Sequence, residues 1–228
     1  MCTRSSRADA RGRGLHGLPL HAFVTLLLAS HAVGIAAASS VAAGSEQALP
    51  AGGAGTAAGG DWLDLNSLEH WVVVNGTSTT WRQEGDELVT TGVPYGMLRT
   101  RRPFTNFILE LEWKHIDPRG NAGIFIWGDP IPAKGVPFPR SIEVQVMLTD
   151  DVHDEQGRLL YTGQGDIFSI HGARCTPVNP HPAGWQRALP AARHTKGAGE
   201  WNHYRIEARD GTITLSVNGH QVSEVRDG

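Results

Sequence analysis

The sequence predicts an all-β fold, a β-sandwich or jelly roll of antiparallel strands, and three observations carry that expectation. Short β-branched and aromatic runs, bounded by Gly, Asn or Asp, recur from Asp61 to the C-terminus. Asp210-Gly211 and Asn218-Gly219 each separate two such runs and supply the positive φ angles that tight hairpin turns require. No window offers a long, capped, amphipathic helix, and many short strands without helices pack as two layers.

The first sixty residues are of a different kind. Arg4, Arg7, Arg11 and Arg13 form a basic head, and "AFVTLLLASHAVGIAAA" (22–38) is an apolar run that ends in small residues. This is the pattern of a secretory signal peptide over residues 1–40, cleaved near 38–43, which predicts a secreted or periplasmic protein with no stable membrane span afterwards. An uncleaved anchor is the alternative, for which the run is short and broken by His31. Residues 41–60 are mostly Ala and Gly, with one Pro and no apolar periodicity, and predict a flexible linker. The folded domain is expected over 61–228. Without residues 1–40 the chain carries 16 basic and 22 acidic residues, about −6 in all, which makes nucleic acid a poor partner. Cys175 is then the single cysteine, so no intrachain disulfide is expected.

The strands follow in order. "HWVVVNGT" and "DELVTTG" are short and β-branched. "NFILELEWKHI" sets Ile108, Glu110, Glu112 and Lys114 on one side, with Leu109, Leu111 and Trp113 on the other. "AGIFIWG" is apolar on both faces, as in a central strand or one offering aromatics to a ligand. "SIEVQVM" puts Ile142, Val144 and Val146 on one face and Glu143 and Gln145 on the other. "NHYRIEARDGTITLSVNGHQVSEV" closes the domain as a meander. Two Pro-, Gly- and His-rich loops, 128–141 and 172–200, are long enough to suggest function, and the second is a candidate wall for a cleft.

A conventional glycosidase needs two carboxyl groups across the scissile bond. The strand face of Glu143 continues with Gln145 and Met147, so the partner acid is missing there. Metal chemistry stays open. His153, His171, His181, His194 and His203 lie in loop-rich segments near Asp150, Asp151 and Asp154, but no pair has a strong zinc spacing, and "DDVHDE" suits a solvated loop better than a calcium site.

"WRQEGDELVTTG", "LRTRRPFTNFILELEWK", "GNAGIFIWG", "SIEVQV", "GDIFSI", "GEWNHYRI" and "VNGHQV" occur in that order. Together they resemble the 3-keto-disaccharide hydrolase domain family (DUF1080), associated with 3-keto-glucoside 1,2-lyase and 3-keto-2-hydroxyglucal hydratase activity. The resemblance spans 61–228 and implies a concanavalin-like jelly roll with sugar held on a concave sheet. Two departures stand out. Trp127 occupies a position where the family often has Arg or Gln. Family domains also usually continue past the Asn-Gly hairpin with a strand of the type "IGLQ…FRNI", whereas this chain stops at Gly228, so the sandwich is expected to lack its last strand and expose an edge.

For a 3-keto sugar the ketone acidifies the C2 proton, so one base can start an elimination, and water can then add back. The resemblance therefore makes Glu143 the candidate base and Gln145 the group that orients substrate or water. His171 and Asp166 are candidate acids or second bases. Lys114, or a divalent cation as Lewis acid, could hold the enolate. Asn121, Trp127, Trp201 and Asn202 are candidate substrate contacts. Each has a structural alternative: Glu143 and Gln145 as a wet strand face, Trp201 as packing, Asn202 as a turn cap, His171 as a buried histidine. The expected partner is a 3-keto-glucoside; a non-catalytic carbohydrate-binding module is the rival, and an adhesive structural domain a third reading.

Overall fold

The computed structural model describes residues 23–29, 35–42 and 62–228. In chain order the strands are β1 (Phe23–Ala29), β2 (Ile35–Ala42), β3 (Trp62–Asp64), β4 (Trp71–Val74), β5 (Trp81–Glu84), β6 (Glu87–Thr90), β7 (Gly96–Thr100) and β8 (Phe107–Trp113). They continue as β9 (Asn121–Gly128), β10 (Ser141–Met147), β11 (Val152–His153), β12 (Leu159–Tyr161), β13 (Ile167–Ile170), β14 (Thr176–Pro177), β15 (Arg187–Ala188), β16 (Asn202–Arg209), β17 (Thr212–Val217) and β18 (His220–Arg226). The single helical element among the described residues is one 3₁₀ turn, Leu68–His70. None of their helices is long and apolar enough to cross a membrane.

Two antiparallel sheets form the sandwich. The first runs β15-β13-β10-β9-β1-β7-β4; the second runs β14-β18-β17-β16-β8-β2-β6-β5, with β3 on β2. The turns at Asp210-Gly211 and Asn218-Gly219 have φ of 48° and 79°, and 49° and 88°. Both therefore close two-residue hairpins, with Arg209 opposite Thr212 and Val217 opposite His220, as the sequence predicts.

The core lies where the alternation says it should. From the second sheet come Leu109, Leu111 and Trp113 of β8, Tyr204, Ile206 and Ala208 of β16, and Ile213 and Leu215 of β17. They meet Ile124 and Ile126 of β9, Ile142, Val144 and Val146 of β10, and Ile167 of β13. Area removed from water at this seam is the main favourable term in folding. Strand β8 keeps the simple pattern, with every second residue partly exposed. Strand β10 does not, because all seven of its residues are buried on both faces.

The apolar stretch that reads as a leader supplies the backbone of β1 and β2. β1 pairs with β7 and β9, and β2 with β6 and β8, so both lie inside their sheets. The C-terminal β18 is likewise interior, between β17 and β14. Among the described residues the edges of the two sheets fall at the short strands β15, β4, β14, β5 and β3. The rest of the predicted leader and linker lies outside the described residues.

Candidate active site on the outer face of the first sheet

The buried polar face of β10 is the feature that the sandwich alone does not explain. Glu143 sits opposite Phe125 of β9 and Phe168 of β13, and Phe168 sits opposite Arg187 of β15. Directly opposed residues point to the same side of a sheet. The row Phe125–Glu143–Phe168–Arg187 therefore lies on the side away from the core, where Ile142 and Val144 point. Two residues along, Gln145 faces Gly123, and its amide donates to Asn121 Oδ1 (2.7 Å) and to the Ala122 carbonyl (3.1 Å).

Loops and aromatic neighbours cover this face, so it is not a wet surface. The 128–141 loop is pinned at its base by Arg140, which donates to both oxygens of Asp129 (3.0 and 3.1 Å). It brings Phe138 within 6.1 Å of the Phe125 ring, and Met97 joins the same cluster. On the other flank the guanidinium of Arg187 covers Phe168, 3.6 Å from the ring centroid, with Tyr161 at 5.9 Å. Glu143 is left 8% exposed.

Gly123 decides where that carboxyl can lie. A β-carbon at this position would stand 2.7 Å from both Glu143 Cγ and Cδ, and nearer still to Oε1. The side chain of Glu143 thus lies across bare strand backbone. Its carboxyl makes no hydrogen bond with any described residue. Burial pushes its pKa up to about 8, while the Arg187 cation pulls the other way. A carboxyl in that position is mostly protonated at neutral pH and becomes a strong base once ionised.

The other sequence candidates separate. Gln145 and Asn121 share the face of Glu143. His171 is exposed at the rim, stacked on Phe138 at 6.3 Å. Asp166, expected as an acid, is fully buried, accepts from Arg187 Nη1 (2.7 Å), and is bonded by the Thr162 amide (3.2 Å) and hydroxyl. Its carboxylate is committed to an ion pair and has no free path to a substrate, so it serves as an anchor. Lys114 and Trp201 lie on the opposite side of the molecule: the ammonium sits 4.5 Å over the indole, and Trp201 packs on Val89, on the outer face of the second sheet. Asn202 is fully buried, and its amide is used by the chain itself, accepting from the Lys196 amide (2.6 Å) and Asn218 Nδ2 (3.0 Å).

Trp127 is turned out of the row by its backbone, with φ of 51°. Its indole donates to the Thr105 carbonyl (2.7 Å) and packs on the core's end, where it lines a cavity of about 270 Å³ with Arg140, Ser141 and Asp210, away from Glu143. No three His, Cys, Asp or Glu side chains converge among the described residues, so the divalent cation finds no donor set there. The acids of "DDVHDE" bind arginines instead: Asp150 and Asp151 hold Arg193, and Asp154 holds Arg158. His194 stacks on His220 and His181 on Trp185.

Phe168, Arg187 and Gly123 escape a reading of the sequence. Only the placing of the 172–200 loop as a cleft wall points toward Arg187.

The described residues thus form a two-sheet antiparallel sandwich with a loop-covered polar row on one outer face. The chain belongs to the 3-keto-α-glucoside-1,2-lyase-like domain family, whose model matches residues 61–228. Among solved structures it is similar to a Parabacteroides distasonis protein assigned to the glycosyl hydrolases, with a TM-score of 0.51 and 22% identity over 70% of this chain and 68% of that one. That likeness bears on the fold. No curated protein matches the sequence.

Proposed function

We propose that this protein is an exported enzyme that cleaves 3-keto-glycosides, with Glu143 as the group that moves the proton. The observation that carries the reading is a carboxyl held near pKa 8, unbonded to any described residue, on a face built by a family of carbohydrate-active proteins. The export rests on the composition of residues 1–40 alone, and it is proposed with those residues retained, because β1 and β2 lie inside the two sheets.

The chemistry needs only one such group. The Glu143 carboxylate takes the C2 proton, and the C–H electron pair becomes the C2–C3 double bond of an enolate. When that charge returns, C1–C2 becomes a double bond, the C1–O bond breaks, and the departing oxygen takes a proton from the Glu143 acid. Water then adds its oxygen to C1 while a proton returns to C2, giving net hydrolysis. A base with a pKa near the working pH is suited to both directions of transfer. Gln145, held by Asn121, flanks the base on the same face and is placed to orient the ring or the water.

The test is turnover of a 3-keto-glucoside by the wild type and by Glu143→Gln, with deuterium uptake at C2 followed in heavy water. Loss of both cleavage and exchange supports the reading. Unchanged turnover removes Glu143 as the base. Sugar binding without turnover in the wild type means a binding module.

A further inference from the structure

Taking a proton from C2 puts negative charge on the C3 oxygen, and a site that makes this anion must hold it. The lysine that the sequence offers for the task lies on the far side of the molecule. Arg187 has the placement that Lys114 lacks. It is two strands from Glu143 in the same cross-strand row, and its guanidinium carbon lies 3.6 Å from the ring centroid of Phe168, the residue between them.

Its bonding is asymmetric. Nη1 is committed to Asp166 Oδ2 at 2.7 Å, and Asp166 is itself fixed by the amide and hydroxyl of Thr162. Nε and Nη2 donate to no described residue, and the side chain keeps 14% of its surface exposed. The guanidinium is therefore anchored at one nitrogen, backed by the Phe168 ring, and free of protein partners among the described residues at the other two. Preorganised donors of this kind stabilise a developing oxyanion without reorganising during the reaction.

We infer that Arg187 is the oxyanion-binding residue for a 3-keto-pyranoside, its Nε–H and Nη2–H taking the C3 oxygen as the C2 proton passes to Glu143. The inference rests on the reading of Glu143 given above. It makes the C3 ketone a recognition element as well as the activating group, so a glycoside with an ordinary C3 hydroxyl is a poor ligand. Asp166 is a positioning residue that acts through Arg187.

Neutralising Arg187 alone strands a buried carboxylate, which is costly to the fold. The test therefore uses Arg187→Lys, which keeps the charge, and the double variant Asp166→Asn/Arg187→Gln, which removes both charges together. Thermal unfolding identifies the folded protein, and kcat, KM and C2 deuterium exchange on a 3-keto-glucoside are measured with and without added guanidinium. The expected result is a fall of about 100-fold or more in kcat and in exchange for both variants, the size seen on removing an oxyanion donor. Added guanidinium should restore part of the loss in the double variant only. Wild-type kcat in either folded variant, with Glu143→Gln inactive, overturns the role of Arg187 and leaves that of Glu143 standing. An active Glu143→Gln overturns both.

Discussion

Replacing Glu143 by Gln tests the burial of the carboxyl independently of turnover. The unfolded chain gives up this proton near 4.5, whereas the folded protein holds it to about 8. Between those values the folded state binds more protons, so stability falls as pH rises through the window, and the loss is complete above pH 8. A difference of about 3.5 pH units at about 1.36 kcal/mol each gives a ceiling of about 5 kcal/mol. Gln has nearly the same shape and no proton to lose. Wild type and variant should therefore match near pH 4, and the variant should be the more stable at pH 9, with a Tm higher by roughly 10 °C or more for a domain of this size. The assay is thermal unfolding of both proteins from pH 4 to 9. Two curves that run parallel across the range would refute the buried, proton-retaining carboxyl, and with it the base assigned to the reaction.

Four further outcomes follow from the same geometry. Turnover of a 3-keto-glucoside should climb as pH rises toward about 8, tracking ionisation of Glu143, and a pH–rate profile with no inflection above 7 contradicts the assignment. Gly123→Ala should displace the carboxyl, because the flexible side chain moves while the strand stays; kcat should drop about 10-fold or more with Tm within a few degrees, from kinetics and melting on one sample. His115 is buried, and desolvation lowers its pKa to about 4 while its bond to the Val146 carbonyl opposes the shift, so the unfolded state takes up the extra proton below 6.5. Stability should then fall by about 3 kcal/mol as pH drops from 6.5 to 4, a slope that His115→Gln should flatten in denaturant titrations. Asn202→Ala should cost about 1–3 kcal/mol by leaving the Lys196 amide without its acceptor, and should leave kcat unchanged if the residue serves the fold alone.

What the sequence makes legible is local. The period-two pattern of "NFILELEW" places Leu109, Leu111 and Trp113 in the core because each residue's face is set by its parity along one strand. The two hairpins are legible because a two-residue turn with positive φ has few chemical solutions. Glu143 and Gln145 stand out for the same reason, as polar residues alternating with Ile and Val. The family resemblance added the chemistry that a lone acid on a strand cannot supply.

The rest of the site depends on register between strands far apart in the chain, which parity along one strand does not contain. Lys114 follows the parity of Glu110 and Glu112, and the local pattern cannot say that this is the outer face of the wrong sheet. Asp166 precedes an apolar strand and reads as a free acid, yet the fold brings Arg187 from twenty-one residues away to neutralise it. Trp127 sits at a parity that would place it in the row with Glu143, and a positive φ turns it elsewhere. The same nonlocality explains why the face that carries Glu143 is buried. An exposed carboxylate on a strand has an ordinary pKa, whereas the aromatic neighbours of Glu143 arrive from β9, from β13 and from the 128–141 loop. Desolvation by those partners, and not any property of "SIEVQV" alone, raises the proton affinity on which the proposed reaction depends.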